Sequence, residues 1–166
     1  MNPRPGCVGI VVLSTMTTEV LAPVPGRAVA LSEVPDPVFA QGMVGHGVAI
    51  DPPHAVVEAL APVSGTLLKL MPHAYIVLTP AKVGVLVHLG LDTVALNGEG
   101  FTTHATQGQQ VTAGQLIITY DVPAVVAKGL NPVVPVVIMD EREPGRIAQR
   151  ADGEIASGAE LFVATE

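Results

Sequence analysis

One short pattern occurs twice in this chain, and it constrains the fold more than any other feature. Residues 21–31 read LAPVPGRAVAL and residues 60–70 read LAPVSGTLLKL, so Leu-Ala-Pro-Val-x-Gly and a closing Leu recur at a spacing of 39 residues. Each copy reads as a strand, a Pro/Gly turn and a second strand. A shorter echo relates VTAGQLI at 111–117 to IASGAEL at 155–161. Both have a β-branched residue, two small or polar residues, a glycine and an apolar restart, the mark of a tight turn whose glycine takes a positive φ. Repeated strand–turn units of this period predict a β domain built by duplication.

The rest of the punctuation agrees. The 166 residues include 17 glycines and 15 prolines, and the valine-rich runs between them are short. Long helices are disfavoured by that spacing, and no apolar run reaches the roughly 18 residues of a membrane helix. The expectation is an all-β fold, an antiparallel sandwich or barrel with one or two very short helices. Asp36 and Pro37 form an N-cap and first-turn pair for one helical turn over Pro37–Gln41, ended by Gly42. Asp121, Val122 and Pro123 open a second short helix, closed at Gly129. Asn131–Met139 (NPVVPVVIM) reads as a strand whose prolines point to an edge or a strand start. Asp140–Arg150 is polar, and Pro144-Gly145 interrupts any helix there. Residues 1–18 are expected to lie outside the core as an extension, with Met16 an alternative start, and residues 19–166 to form a single domain. Arg4 followed by CVGIVVL has only a faint likeness to a signal peptide, since no A-x-A site follows.

Charge and cysteine content narrow the function. The net charge is −7 with only 8 Lys+Arg, and no basic stripe is visible, which argues against nucleic acid as a partner. The single cysteine, Cys7, excludes an internal disulfide and suits a reducing compartment. The phosphate loop GxxxxGK[ST], the dinucleotide fingerprint GxGxxG and the nucleophile elbow GxSxG do not occur.

What chemistry there is concentrates in His73–Asp92, HAYIVLTPAKVGVLVHLGLD. A hairpin turning between Pro80 and Ala81 sets His73 directly opposite His88, where Cβ atoms lie about 4.5–5.5 Å apart. In that register Ala74, Ile76, Leu78, Val83, Val85, Val87 and Leu89 face the core. His73, Tyr75, Val77, Gly84, Leu86, His88 and Gly90 make the other face, two histidines in an apolar surround. Such a pair can bind a metal with a third ligand, act as general base, or supply a nucleophile whose second ring nitrogen holds a fixed donor role. Asp92 is an anion near the pair or a cap for the turn GLDT. His46, His54 and His104 read as surface residues.

These segments resemble the glucose-type enzyme IIA family of the bacterial sugar phosphotransferase system. The resemblance covers about Leu21 to Val163. It is carried by His-Ala-aromatic at 73–75, VHLGLDTV at 87–94 and NGEGF at 97–101, with LAPVSGTLLKL, QGQQVTAGQLIITYD and NPVVPVVI in family order. It implies an antiparallel sandwich that carries phosphoryl groups between proteins. His88 stands at the family's phosphorylated position, His73 at its active-site neighbour and Asp92 at its active-site Asp. The implied donor is the phosphohistidine carrier HPr. The implied acceptor is a cysteine on the IIB domain of a glucose- or N-acetylglucosamine-type permease. Val38, Phe39, Met43, Val44 and Leu86 match the apolar patch that docks these partners. A cytoplasmic location is implied, with contact to the membrane only through the permease, no cofactor, and no metal in the isolated chain, His73 and His88 being the candidate ligands for a metal in a complex. Regulatory protein binding is compatible with this role. Three departures stand out: Met71 and Pro72 replace a lead-in that carries Thr in many members and look shorter than it, Pro37 replaces an aliphatic residue, and the last segment around Pro144-Gly145 departs from a helical pattern.

Two other classes fit less well. A zinc hydrolase on a duplicated β fold needs an H-x-H pair, and His88 is followed by Leu89 and Gly90. A lipoyl-type carrier needs a lysine at a hairpin tip beside Met or Asp, a context that Lys69, Lys82 and Lys128 lack.

Overall fold

The two copies of the repeat are bonded to each other. In the computed structural model, which describes residues 17–139 and 146–165, the Leu21 amide donates to the Pro62 carbonyl at 2.9 Å and the Leu60 amide to the Pro23 carbonyl at 2.8 Å. The shorter echo completes the pattern. Gly158 N–H donates to Ala22 and Gly114 N–H to Ala61, while Ala22 N–H donates to Ala159 and Ala61 N–H to Gln115. Exchanging the two halves therefore reproduces the same set of bonds, as duplication predicts. The glycine of each copy is demanded by close approach: a Cβ on Gly26 would lie 2.2 Å from the Asp51 carbonyl oxygen, and one on Gly65 2.1 Å from that of Leu78.

Strands β1 (Thr17–Leu21) and β2 (Gly26–Ala30) flank the first copy. Then come α1 (Pro37–Ala40) and β3 (Gly45–Asp51); β4 (Val56–Leu60) and β5 (Gly65–Met71) flank the second copy. They are followed by β6 (Ala74–Leu78), β7 (Gly84–His88), β8 (Phe101–Thr103), β9 (Gln110–Val111), β10 (Leu116–Asp121) and α2 (Val122–Ala127). The last strands are β11 (Val134–Met139), β12 (Ile147–Ala148), β13 (Gly153–Ile155) and β14 (Glu160–Thr165). An eight-stranded sheet runs β13-β2-β3-β11-β7-β6-β5-β9, and two three-stranded sheets run β1-β14-β12 and β4-β10-β8. The fold is thus an all-β antiparallel sandwich with two short helices. The barrel alternative is not realised, because the large sheet ends at β13 and β9 without closing.

Alternation sorts the large sheet's side chains into two cores. Val48 and Ile50 of β3, Tyr75 and Val77 of β6, Val85 and Val87 of β7, and Val134 and Val136 of β11 join the main core with Val20, Ile118, Tyr120 and Phe162. The residues between them, Ala49, Ala74, Leu86 and Val137, join a second cluster with Leu31, Val34 and Phe39. The central strands are apolar on both faces because both are covered.

The hairpin register differs from the sequence expectation. β6 and β7 pair Ala74 with His88 and Leu78 with Gly84. The connection is three residues, Pro80, Ala81 and Lys82, closed by Thr79 N–H to Val83 O and Lys82 N–H to Thr79 O, with Lys82 at φ 71°. An odd loop of this type moves the register by one residue, and a one-residue slip exchanges a strand's faces. Hence Tyr75 and Val77 point into the main core, where the Tyr75 hydroxyl donates to the Leu60 carbonyl at 2.7 Å, and Ala74 and Ile76 lie on the histidine side.

Two smaller differences follow. Thr17 and Thr18, placed in the extension by sequence, pair with Thr165 and Ala164 in the sheet; the remainder of the extension, with Cys7 and Met16, lies outside the described residues. Of the two readings of its prolines the strand start holds and the edge does not: β11 is central, Pro135 is its second residue, and pairing to β7 begins only at Val136. Pro144-Gly145 lies outside the described residues. Both short helices form as expected, with the Asp36 carboxylate accepting from Val38 N–H at 3.0 Å and that of Asp121 from Ala124 N–H at 3.1 Å.

Candidate functional site

His88 is the last residue of β7, on the same face as Leu86, and is half-buried. His73 reaches it by another route than strand pairing. It is the second residue of the tight Pro72-His73 turn joining Met71 of β5 to Ala74 of β6. Within a strand, His73 would fall opposite Leu89, and the backbone keeps that relation: Leu89 N–H donates to His73 O at 2.7 Å. The turn releases the side chain from alternation, so the two rings meet edge to face with centroids 5.2 Å apart. The expected meeting of the histidines therefore occurs, although they are not directly opposed.

The His88 ring is fixed. Its Nδ1 lies 2.6 Å from the Gly90 carbonyl oxygen. A carbonyl only accepts, so Nδ1 carries the proton and the neutral ring presents Nε2 as a bare nitrogen. Gly90 holds φ +84°, a conformation that a larger residue adopts at a cost, and a Cβ there would lie 2.6 Å from Thr93 Cγ2. The Phe39 ring packs against the imidazole, centroids 5.3 Å apart.

Burial pulls the pKa of His88 below the ordinary value; its bond to Gly90 and the charges of Asp36 and then Asp92 oppose that pull without overcoming it. His73, 8% exposed, is also pulled down, by burial first and by His88 second. Its ring has no hydrogen-bond partner among the described residues. The site thus holds two neutral imidazoles at pH 7, one with an oriented lone pair.

Asp92 sits at φ 61°, exposed, and its carboxylate makes no capping bond to the 3-10 turn Thr93–Leu96. Its influence on His88 is through charge. Asp36 does the same and was legible in sequence only as a helix cap.

The expected partner-contact residues divide by exposure. Val38 (43%) and Met43 (57%) are open to solvent, Val44 is half-buried, and Phe39 and Leu86 lie beneath them in the second cluster. Helix α1 makes this split, since consecutive helical residues point about 100° apart. Val94 is 64% exposed. With Met71, Pro72, His73, Asn97 and Gly98 it lines a cavity of ≈ 380 Å³. Sequence reading missed Val94 because it stands inside the motif rather than in the patch. Of the other histidines, His54 and His104 are exposed, and His46 is half-buried against Gly42.

Among the described residues no cluster of three His, Cys, Asp or Glu is arranged to hold a metal. The pair supplies two imidazole ligands, and a metal there takes its remaining ligands from elsewhere. No helix among the described residues is long and apolar enough to cross a membrane.

Residues 18–143 match the family model described as phosphoenolpyruvate-dependent sugar phosphotransferase system, EIIA 1. A glucose-specific EIIA component of Oceanobacillus iheyensis is 37% identical over 84% of this chain and 84% of its own length. A mannose-specific EIIBCA component of Corynebacterium glutamicum is 43% identical over 78% of this chain, which spans only 19% of that protein. Among solved structures, the glucose permease IIA from Mycoplasma capricolum superposes with a TM-score of 0.79 at 36% identity, covering 89% of this chain and 95% of the other.

Proposed function

The chain belongs to the EIIA 1 family of the phosphoenolpyruvate-dependent sugar phosphotransferase system, and from that premise we propose that it relays a phosphoryl group through His88 Nε2 during sugar uptake. The observation that carries the reading is the 2.6 Å contact of His88 Nδ1 with Gly90 O. It ties up one nitrogen as a donor and leaves the other as nucleophile.

Two displacements make up the relay. In the first, the Nε2 lone pair attacks phosphorus on the phosphohistidine of HPr; a new P–N bond forms, the old one breaks, and the HPr imidazole leaves with its electron pair. In the second, the cysteine thiolate of a IIB domain attacks; a P–S bond forms and the bond to His88 breaks. Fusion of EIIA-like segments to B and C components, as in the C. glutamicum relative, supports IIB as acceptor.

Phosphoryl transfer needs in-line positioning and charge stabilisation more than covalent help. The Gly90 carbonyl positions the ring. The His73 N–H donates to phosphoryl oxygens in this reading, its ring lying 5.2 Å from that of His88 between centroids. Asp36 and Asp92 favour a partly cationic His88 as its nitrogen bonds to phosphorus. The apolar surround of Phe39, Leu86 and Val38 limits water and so limits hydrolysis. The same surface serves two unlike partners because apolar contact asks little directional matching.

The test uses enzyme I, HPr and labelled phosphoenolpyruvate. Acid-labile label is expected on the wild type and not on His88→Ala. Label retained by His88→Ala, or absent from the wild type, refutes the assignment.

A further inference from the structure

Below the histidines lies a side chain that neither the sequence reading nor the proposed relay uses. Thr93 is fully buried. Its hydroxyl donates to the Leu89 carbonyl at 2.8 Å. Leu89 links the backbone at the two histidines. Its N–H donates to the His73 carbonyl at 2.7 Å, and its own carbonyl belongs to the peptide that leads into Gly90, the residue bonded to His88. Beyond it, Gly90 N–H bonds Val133 O and Leu91 N–H bonds Asn131 O. That neighbouring segment is pinned by the Tyr120 hydroxyl, which donates to Pro132 O at 2.8 Å.

We propose that Thr93 is a positioning residue for the histidine pair: its hydroxyl fixes the Leu89–Gly90 peptide and through it the tautomer of His88 and the separation of the rings. The physical argument is one of alternatives. Without the hydroxyl the Leu89 carbonyl is buried with an acceptor site unfilled, a cost that drives a tilt of that peptide against its one remaining bond among the described residues, Gly90 N–H to Val133 O. A tilt of that peptide moves Gly90, whose carbonyl is the sole anchor of His88 Nδ1 among the described residues. A His88 ring released from Gly90 samples both tautomers, and only one presents Nε2. The methyl of Thr93 fills space beside Gly90, but it forms no polar bond, so the hydroxyl carries the effect.

This inference rests on the phosphoryl relay for its kinetic arm alone. The full chain is labelled with ¹⁵N-histidine, and the ring nitrogen shifts of His88 are read for wild type, Thr93→Val, Thr93→Ala and Thr93→Ser. Transfer from phospho-HPr is timed for the same proteins well below their melting temperatures. The wild type is expected to show one tautomer, protonated at Nδ1. Thr93→Val and Thr93→Ala are expected to show a mixture and to transfer about ten- to a hundredfold more slowly, the range for a small misplacement. Thr93→Ser keeps the hydroxyl and is expected to match the wild type on both readouts. Wild-type tautomer and rate in Thr93→Val, or in Thr93→Ala should the valine variant not fold, overturn the inference. So does a wild type resting as the Nε2–H tautomer, which needs no variant. A wild type that accepts no phosphoryl group refutes the relay instead, and the spectra still decide the role of Thr93.

Discussion

At His88 two influences oppose each other. Burial disfavours the charged ring, and the Gly90 carbonyl with Asp36 and Asp92 favours it; burial prevails and the pKa falls below its usual value. A neutral ring is the nucleophilic one, so acceptance of phosphoryl is expected to be flat from pH 8 down to about 6.5, the ordinary histidine value, and to decline only below it. A decline starting above pH 7 contradicts the direction of the shift. Stability follows the same sign. Both histidines have folded-state pKa values below the unfolded one. The unfolded chain therefore binds more protons as pH falls through 6.5, and stability present above that value is lost on the way to the folded pKa. Urea midpoints measured at pH 8 and pH 5 are expected to fall on acidification, and to fall less in His73→Gln. That variant is also expected to accept phosphoryl yet pass it on to IIB about a hundredfold or more slower, the lower end of the scale for a lost positioned donor; unchanged onward transfer removes His73 from the chemistry.

The hairpin and the repeat show what the sequence makes legible at the scale of elements. The repeat was readable because close backbone approach at Gly26 and Gly65 admits no side chain, and a residue with one possible identity recurs visibly. Accordingly Gly65→Ala is expected to cost about 3 kcal/mol, the upper range for overpacking. Gly158→Ala, where φ is +84° and no atom lies within 4 Å, is expected to cost about 1 kcal/mol from backbone strain alone. Equal losses in chemical denaturation contradict this account of the repeat. The register of β6 and β7 was not legible, because Thr-Pro-Ala-Lys-Val closes equally well in pattern as an even or an odd loop. Only the left-handed Lys82 decides it, and lysine does not announce that conformation as glycine does. The histidines still meet, because Pro72-His73 is itself a two-residue turn. The two rings thus come together, although not through the register expected from sequence. Asp36 was read as a cap and is one; its field at His88 depends on the packing of α1 over β7, which no local pattern records.

For the molecule as a whole, the large sheet has to cover both its faces. The two small sheets cover one face, and among the described residues α1 and the segment before it, with Leu91 and Val133, pack on the other at the histidines. Val38 on α1 and Val94 beside His73 are exposed. If this rim docks HPr, Val38→Ser together with Val94→Ser is expected to raise the HPr concentration needed for half-maximal transfer about tenfold or more, as for a central contact worth somewhat over 1 kcal/mol. Thermal stability is expected to stay near that of the wild type, since both side chains are largely in solvent. An unchanged HPr requirement moves the docking surface elsewhere.

The central claim is that Gly90 selects which nitrogen of which histidine reacts. Phosphorylating the chain with enzyme I, HPr and phosphoenolpyruvate and mapping the phosphohistidine by ³¹P and ¹⁵N spectra tests it most directly. The account predicts one phosphoryl group, on Nε2 of His88, with Nδ1 still protonated against Gly90. Phosphate on Nδ1 of His88, or on His73, contradicts it.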